Sequence, residues 1–192
     1  MFDGWHSCRR ARFGRIALAV VIGLALFGSL ALGTQVAGAT TLTVTNCSDS
    51  VSAPAPGSLR AEVGAAVSGD TIDFAPSPAC DLITLAGTID ITANLTIDGP
   101  ETNGLAISGG DASPVFGVAG SVTATIGALT IEDGNGSDGG GIENNGTLIL
   151  TDSTVSGNTA TSAGGGIYNT GTLSVLDSTF SQDDATNDGG AI

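Results

Sequence analysis

GGGIENNGTLILTDSTVSGNTATSA, residues 139–163, is followed without a break by GGGIYNTGTLSVLDSTFSQDDATND, residues 164–188. The two blocks agree at 14 of 25 positions, and Gly189-Gly190-Ala191-Ile192 opens a third. Gly146-Thr147-Leu148 returns as Gly171-Thr172-Leu173, and Asp152-Ser153-Thr154 as Asp177-Ser178-Thr179, each 25 residues on. A fixed period of this length points to a stack of equivalent turns, which decides the fold before any single residue is read.

Fainter copies lie upstream at an offset of 24. Ala124 and Ile126 correspond to Leu148 and Leu150, then to Leu173 and Val175. Leu105-Ala106-Ile107, Leu129-Thr130-Ile131 and Thr154-Val155 form a second series, and Thr88–Ile91 and Leu95–Gly99 share the texture. Each segment is short, alternates apolar residues with Thr or Ser, and ends at Gly, Asn or Asp, as strands with tight turns do. A unit of about 25 residues with three such strands is too small to enclose a core, so the units must stack. The reading is an all-β, right-handed parallel β-helix. Its expected core columns are Ile107, Ile131, Val155 and Phe180; Ile142, Ile167 and Ile192; Leu148 and Leu173; and Leu150 and Val175. Turns are assigned to Gly139, Gly140, Gly141, Gly164, Gly165, Gly166, Gly189 and Gly190, since glycine tolerates positive φ and close approach. Asn144 and Asn169 fit a left-handed turn position and a side-chain amide ladder. A β-sandwich would need longer strands and aromatic anchors. Beyond residue 39 the aromatics are only Phe74, Phe116, Phe180 and Tyr168.

The stretch 40–80 differs, and reads as an N-terminal cap on coils that run from 81 to 192. Thr41–Asn46 and Thr71–Phe74 are expected strands. Between them Ser58 is placed to cap a short helix with Leu59, Val63 and Val67 on one face. An open β-helix end exposes unpaired edges, which a cap covers. Arg60 is expected to pair locally with a carboxylate or carbonyl. At the other end the chain stops inside a third glycine signature, as a truncated array would.

Arg9, Arg10, Arg12 and Arg15 precede the apolar run Ile16–Leu32, and Ala37-Gly38-Ala39 follows. A basic stretch, an apolar stretch and an A-x-A site are the parts of a secretory signal peptide over residues 1–39, cut after Ala39. A twin-arginine signal and an uncleaved membrane anchor are the alternatives. The whole chain of 192 residues has a formal charge of −14 and no lysine. Without the leader, 153 residues carry Arg60 as the one cation against 18 carboxylates, a charge of −17. They contain no His, Lys, Trp or Met. Such a surface disfavours nucleic acid and anionic membranes. It also excludes Ser-His-Asp and Cys-His chemistry, a Lys Schiff base, and His-ligated zinc or haem. Cys47 and Cys80, an even pair in an exported chain, read as a disulfide rather than a two-thiol metal site.

The glycine signatures at Ile142, Ile167 and Ile192 resemble the GG-A-I half of the repeat in chlamydial-type polymorphic outer membrane proteins. The F-x-x-N half is approximated by Val155-Ser156-Gly157-Asn158 and Phe180-Ser181-Gln182-Asp183. Gly57-Ser58-Leu59-Arg60-Ala61-Glu62, with Gly69–Phe74 after it, is similar to the N-terminal region of bacterial proteins with a CSLREA-type domain. The resemblance covers most of Thr41–Ile192. It implies an exported β-helix, secreted or at the cell surface or outer membrane, with adhesin-like roles and no catalytic residues.

Parallel β-helices also serve polysaccharide lyases and glycosidases. A glycosidase needs two placed carboxylates. Asp183-Asp184 is the most suggestive pair, but neighbours on a strand point to opposite faces. Asp152 and Asp177 should stack one rung apart; each is read as forming an Asx turn before its strand. Asp133, Asn135 and Ser137 have the alternating oxygens of a calcium loop, but Asp138 and Asn144 stand where an EF-hand wants Gly and Glu. The function expected is a non-catalytic, adhesin-like surface repeat protein. Its ligand would be a surface, host or matrix component, with membrane contact only through export or a missing C-terminal anchor. The alternatives are a fragment of a polysaccharide-active enzyme and a structural spacer.

Overall fold

The computed structural model describes residues 38–76, 80–100 and 104–192. The leader expected over 1–39 lies outside them as far as residue 37. From Thr41 onward the chain winds into a parallel β-solenoid of about four coils, with one short helix among the described residues.

Four faces build the coil. One sheet has six strands, in the order Thr41–Val44, Asp70–Phe74, Leu95–Asp98, Thr123–Gly127, Thr147–Thr151 and Thr172–Leu176. A second runs through Leu82–Thr84, Ala106–Ser108, Thr130–Glu132, Thr154–Ser156 and Thr179–Ser181. A third joins Ile89–Ile91, Phe116–Val118, Ile142–Asn144 and Ile167–Asn169, and a fourth joins Asn135–Asp138, Thr159–Ala163 and Asp184–Ala185. All of these pairings are parallel. The last sheet was not foreseen. Its Gly-, Thr- and Asn-rich strands read as turns, yet stacking of equivalent backbone gives them ladder partners whatever their side chains prefer. That sheet also explains why the upstream offset is 24 and the downstream one 25. Asn135 pairs with Thr159, but after a register shift Asp138 pairs with Ala163. One extra residue in the later coil is absorbed there, as a bulge absorbs it.

The columns fall as the repeat predicts. Ile107, Ile131, Val155 and Phe180 are successive register partners, as are Ala124, Leu148 and Leu173, and Ile126, Leu150 and Val175. Ile142 and Ile167 continue from Phe116. Most of these side chains are fully buried in one continuous core that also takes in Val44, Leu59, Val63 and Phe74 from the cap region. Four column members are corrected. Leu173 and Phe180 are only partly buried, and Val175 is 37% exposed although it is in register with Leu150. Ile192, expected in the column of Ile142 and Ile167, is 53% exposed. The physical reason is common to them: among the described residues no strand packs on the far side of this last coil.

The cap region is part of the same stack, supplying the first two strands of the six-stranded sheet. Its helix, Leu59–Ala65, starts at Ser58, whose side chain accepts a hydrogen bond from Ala61 N. Leu59 and Val63 face the core, whereas Val67 lies beyond the helix end and is exposed, contrary to the expected stripe. Cys47 and Cys80 are disulfide-bonded across a separation of 33 residues. Gly139 and Gly164 are two positions that require glycine. Each has positive φ, and a Cβ would collide with the carbonyl oxygen of Ile142 or Ile167 respectively.

Candidate functional site

Three polar ladders run up the coils at the repeat spacing. Asn144, fully buried, donates from Nδ2 to Asn169 Oδ1 (2.6 Å) and to Thr172 O (2.9 Å), while its Oδ1 accepts from Gly146 N. The amide ladder expected there is present. The left-handed backbone is not: positive φ falls instead on Ala128, Asp152 and Asp177 at one corner, and on Asp133, Gly157 and Gln182 at the next. Asp152 and Asp177 are exposed corner residues, tolerated because a short polar side chain visits this region at low cost. The turn's hydrogen bond comes from the residue after each: Ser153 Oγ donates to Thr151 O (2.7 Å) and Ser178 Oγ to Leu176 O (2.8 Å). Ser178 Oγ also accepts from Ser153 N. The corner is therefore a serine ladder rather than a pair of Asx turns.

The third ladder occupies the degraded F-x-x-N positions. Asn158 is fully buried; its Oδ1 accepts from Gly134 N (2.9 Å), and its Nδ2 donates to Ile131 O (3.1 Å) and Asp183 Oδ1 (2.8 Å). Asp183 Oδ2 is buried without a hydrogen-bond partner. Burial pushes the Asp183 carboxyl above the ordinary value of 3.8, although bonds from Asn158 and Ser181 pull the other way. Asp184 is exposed, so the two neighbours do diverge. The signal for this ladder was the Asn/Asp column itself; its burial could not be read without the register.

Arg60 ties the helix that carries it to the Asp49 loop and to the Gly87–Thr88 backbone. Nε and Nη2 bind Asp49 (2.8 and 2.7 Å), Nη1 donates to Thr88 O (2.8 Å), and Nη2 also reaches Gly87 O. The Asp49 side chain is 1% exposed. Burial alone would raise its carboxyl, but the Arg60 fork, the Ala86 N–H and the Arg60 charge outweigh it and hold the group below the ordinary range. The expectation of a local carboxylate and carbonyl partner is met by both.

Asp133, Asn135 and Ser137 do not wrap into a loop. Asp133 sits at a corner, Asn135 and Ser137 lie in the strand Asn135–Asp138, and Asn135 Nδ2 donates to Asp111 O (3.2 Å). Successive same-side residues of a strand are about 7 Å apart, so the donors are spread along it.

A groove of about 540 Å³ lies at the corner between the six-stranded and five-stranded sheets. Later coils turn this corner in two residues, such as Ala128-Leu129 and Asp152-Ser153. The coil of Leu95–Asp98 spends seven residues, 99–105, before Ala106–Ser108. Pro100 and Gly104 of that longer connection line one wall, Thr151 and Asp152 the other, with Gly127 and Ala128 between. A smaller hollow of about 210 Å³ lies beside Asn94, Thr96, Thr123 and Thr125 on the six-stranded face. Comparison with family models, curated proteins and solved structures finds no match to this chain.

Proposed function

We propose that the chain is a non-catalytic, exported repeat protein whose solenoid presents an adhesin-like binding surface, secreted or held at the cell surface. The observation that carries this reading is the division of polar chemistry between the inside and outside of the coil. The buried Asn144, Ser153 and Asn158 side chains are committed to ladders that hold coils together, and Arg60, the one cation after residue 39, is committed to Asp49 and the Gly87–Thr88 backbone. Outward positions repeat hydroxyls in register: Thr123, Thr147 and Thr172 on one sheet, Thr130, Thr154 and Thr179 on another. A surface of regularly spaced neutral donors and acceptors suits recognition of an extended ligand better than proton abstraction, which needs a base matched to its task. The Cys47–Cys80 bond agrees with an oxidising compartment. The resemblance to polymorphic outer membrane repeats and CSLREA-type proteins supports the same reading.

The test is to probe the purified chain against arrays of glycans and extracellular-matrix components, and in parallel to incubate it with uronate polymers. Saturable binding with no new chain ends is expected. Release of unsaturated oligosaccharides would overturn the non-catalytic reading in favour of a lyase.

A further inference from the structure

We infer that the outward threonine face of the six-stranded sheet is a binding surface for ice. This deepens the reading of the solenoid as a binding surface, and rests on it, by naming crystalline water as the ligand.

The geometry begins with the register. Thr41, Thr71, Thr96 and Thr125 are successive partners in one outward column, which Ile149 and Ser174 continue. Thr123, Thr147 and Thr172 form the neighbouring column, two residues back along each strand and so on the same face. Steps within a column are about 4.8 Å, and steps between the columns about 7 Å. Threonine is stiff at χ1, so its hydroxyl and methyl share the order of the backbone beneath them. Ala124, Ile126, Leu148 and Leu150, fully buried, form the solid floor under both columns. The hollow lined by Gly69 and Asn94 borders Thr123 and Thr125 on one side. The level part of the face is therefore the three ranks Thr123–Thr125, Thr147–Ile149 and Thr172–Ser174.

The chemistry of the face selects the ligand. After residue 39 the chain carries 18 carboxylates, yet neither column holds a charged residue. Charge begins one column further along the strands, at Asp73 and Asp98. An uncharged face carries no ionic desolvation cost, so its complement is a neutral ligand. Thr40, Thr170 and Thr186 direct their hydroxyls to protein acceptors, whereas among the described residues the threonines of the two columns have no such partner. Each is free to donate and to accept toward a ligand. The level ranks also lack an aromatic side chain on which a sugar ring would stack. A rigid, neutral grid suits a ligand that is itself rigid and periodic at the same two spacings. Oxygen atoms of hexagonal ice repeat at nearly these distances along the a and c axes, and every water in that lattice both donates and accepts. A flexible polymer would have to be ordered against the grid at an entropic cost that a crystal has already met.

The experiment grows ice slowly from a stirred solution of the purified chain and compares the protein in the ice with that left in the liquid. The coarsening of ice grains in a frozen film is the second readout. The wild type should enrich in the ice and arrest coarsening, whereas an unrelated protein of similar size stays in the liquid. Thr123→Lys and Thr147→Lys, which each set a long charged side chain within the grid, should lose both effects. Thr159→Lys, at an exposed threonine of the fourth sheet, should keep both. Circular dichroism and urea unfolding check that the coil is intact in each variant. The inference is overturned if the wild type is left in the liquid, or if folded Thr123→Lys and Thr147→Lys enter the ice as the wild type does. Glycan and matrix arrays probed with the same proteins separate the two readings. Array binding without enrichment in ice sinks the ice face and leaves the adhesin-like reading standing, whereas a wild type that does neither sinks both.

Discussion

Asp183 ends a buried amide ladder with a carboxylate. Asn158, one coil earlier, uses Oδ1 to take the N–H below and Nδ2 to reach Ile131 O and the coil above. Asp183 can accept but cannot donate, and its Oδ2 is left buried and unpaired. The carboxyl of the folded chain therefore holds its proton more tightly than that of the unfolded chain. Its contribution favours the fold below the ordinary value of 3.8 and is lost as pH rises through the raised value, the reverse of a salt-bridged Asp. Asp183→Asn restores the donor. Val155 is the register partner of Ile131, so the new amide has Val155 O as its equivalent acceptor. The substitution should stabilise the protein by about 1 kcal/mol at pH 7 and by less at pH 3, as urea midpoints at the two pH values would show. Equal or lower stability at pH 7 would mean the carboxylate is accommodated in some other way. Asn158→Ala removes three buried hydrogen bonds and should cost about 3 kcal/mol, again read from urea unfolding.

At the scale of elements, the helix and its flanks show what Arg60 does. Leu59 and Val63 anchor the helix to the core, while the Arg60 guanidinium reaches the Gly87–Thr88 backbone and Asp49 together. Arg60→Ala leaves the enclosed Asp49 carboxylate without its cation and frees two carbonyls. A loss of about 2–3 kcal/mol at pH 7 is expected. Asp49 is held below the ordinary carboxylate range, so its stabilisation is present above that range and lost as pH falls through the lowered value. The penalty of Arg60→Ala should therefore shrink in acid, and a penalty independent of pH would assign Arg60 to packing alone. Why the sequence revealed the partner type but not the partner is instructive. A lone cation among 18 carboxylates must pair somewhere, but Asp49 lies 11 residues away through a loop with no periodicity. Similarly, alternation of apolar residues marked most inward strands, though not Leu82–Thr84 or Phe116–Val118, because the period-two pattern and the coil period reinforce each other. The Asn135–Asp138 family of strands carried no such alternation and was legible only as turns. The groove was invisible for a related reason: Asp98, Gly127 and Thr151 meet there only through the register of three coils that carry different residues at that position.

Over the whole molecule, stability is the sum of coil-on-coil interfaces plus whatever closes the ends. The Cys47–Cys80 bond acts on the N-terminal end. Constraining a separation of 33 residues in the unfolded chain is worth about 3.5–4 kcal/mol on the chain-entropy estimate, so reduction should lower the urea midpoint accordingly. The repeat itself makes a sharper demand. Deleting residues 139–163 removes one coil and joins Asp138 to Gly164, preserving an Asp-Gly-Gly-Gly-Ile junction. Ile167 then falls over Phe116, Leu173 over Ala124, Val175 over Ile126 and Phe180 over Ile131, because each replaces its own register partner. Gly134 N, which loses Asn158, finds the Asp183 carboxylate in the same column. All four faces keep their phase, so the shortened chain should fold to the same β signature with a lower urea midpoint, one interface having been lost. Deleting only 139–150 removes half a coil, brings Thr151 to the place of Gly139, and turns every later strand toward the wrong face. That chain should not fold cooperatively. If circular dichroism and urea unfolding showed both deletions folding equally well, stacking in register could not be what holds the solenoid together.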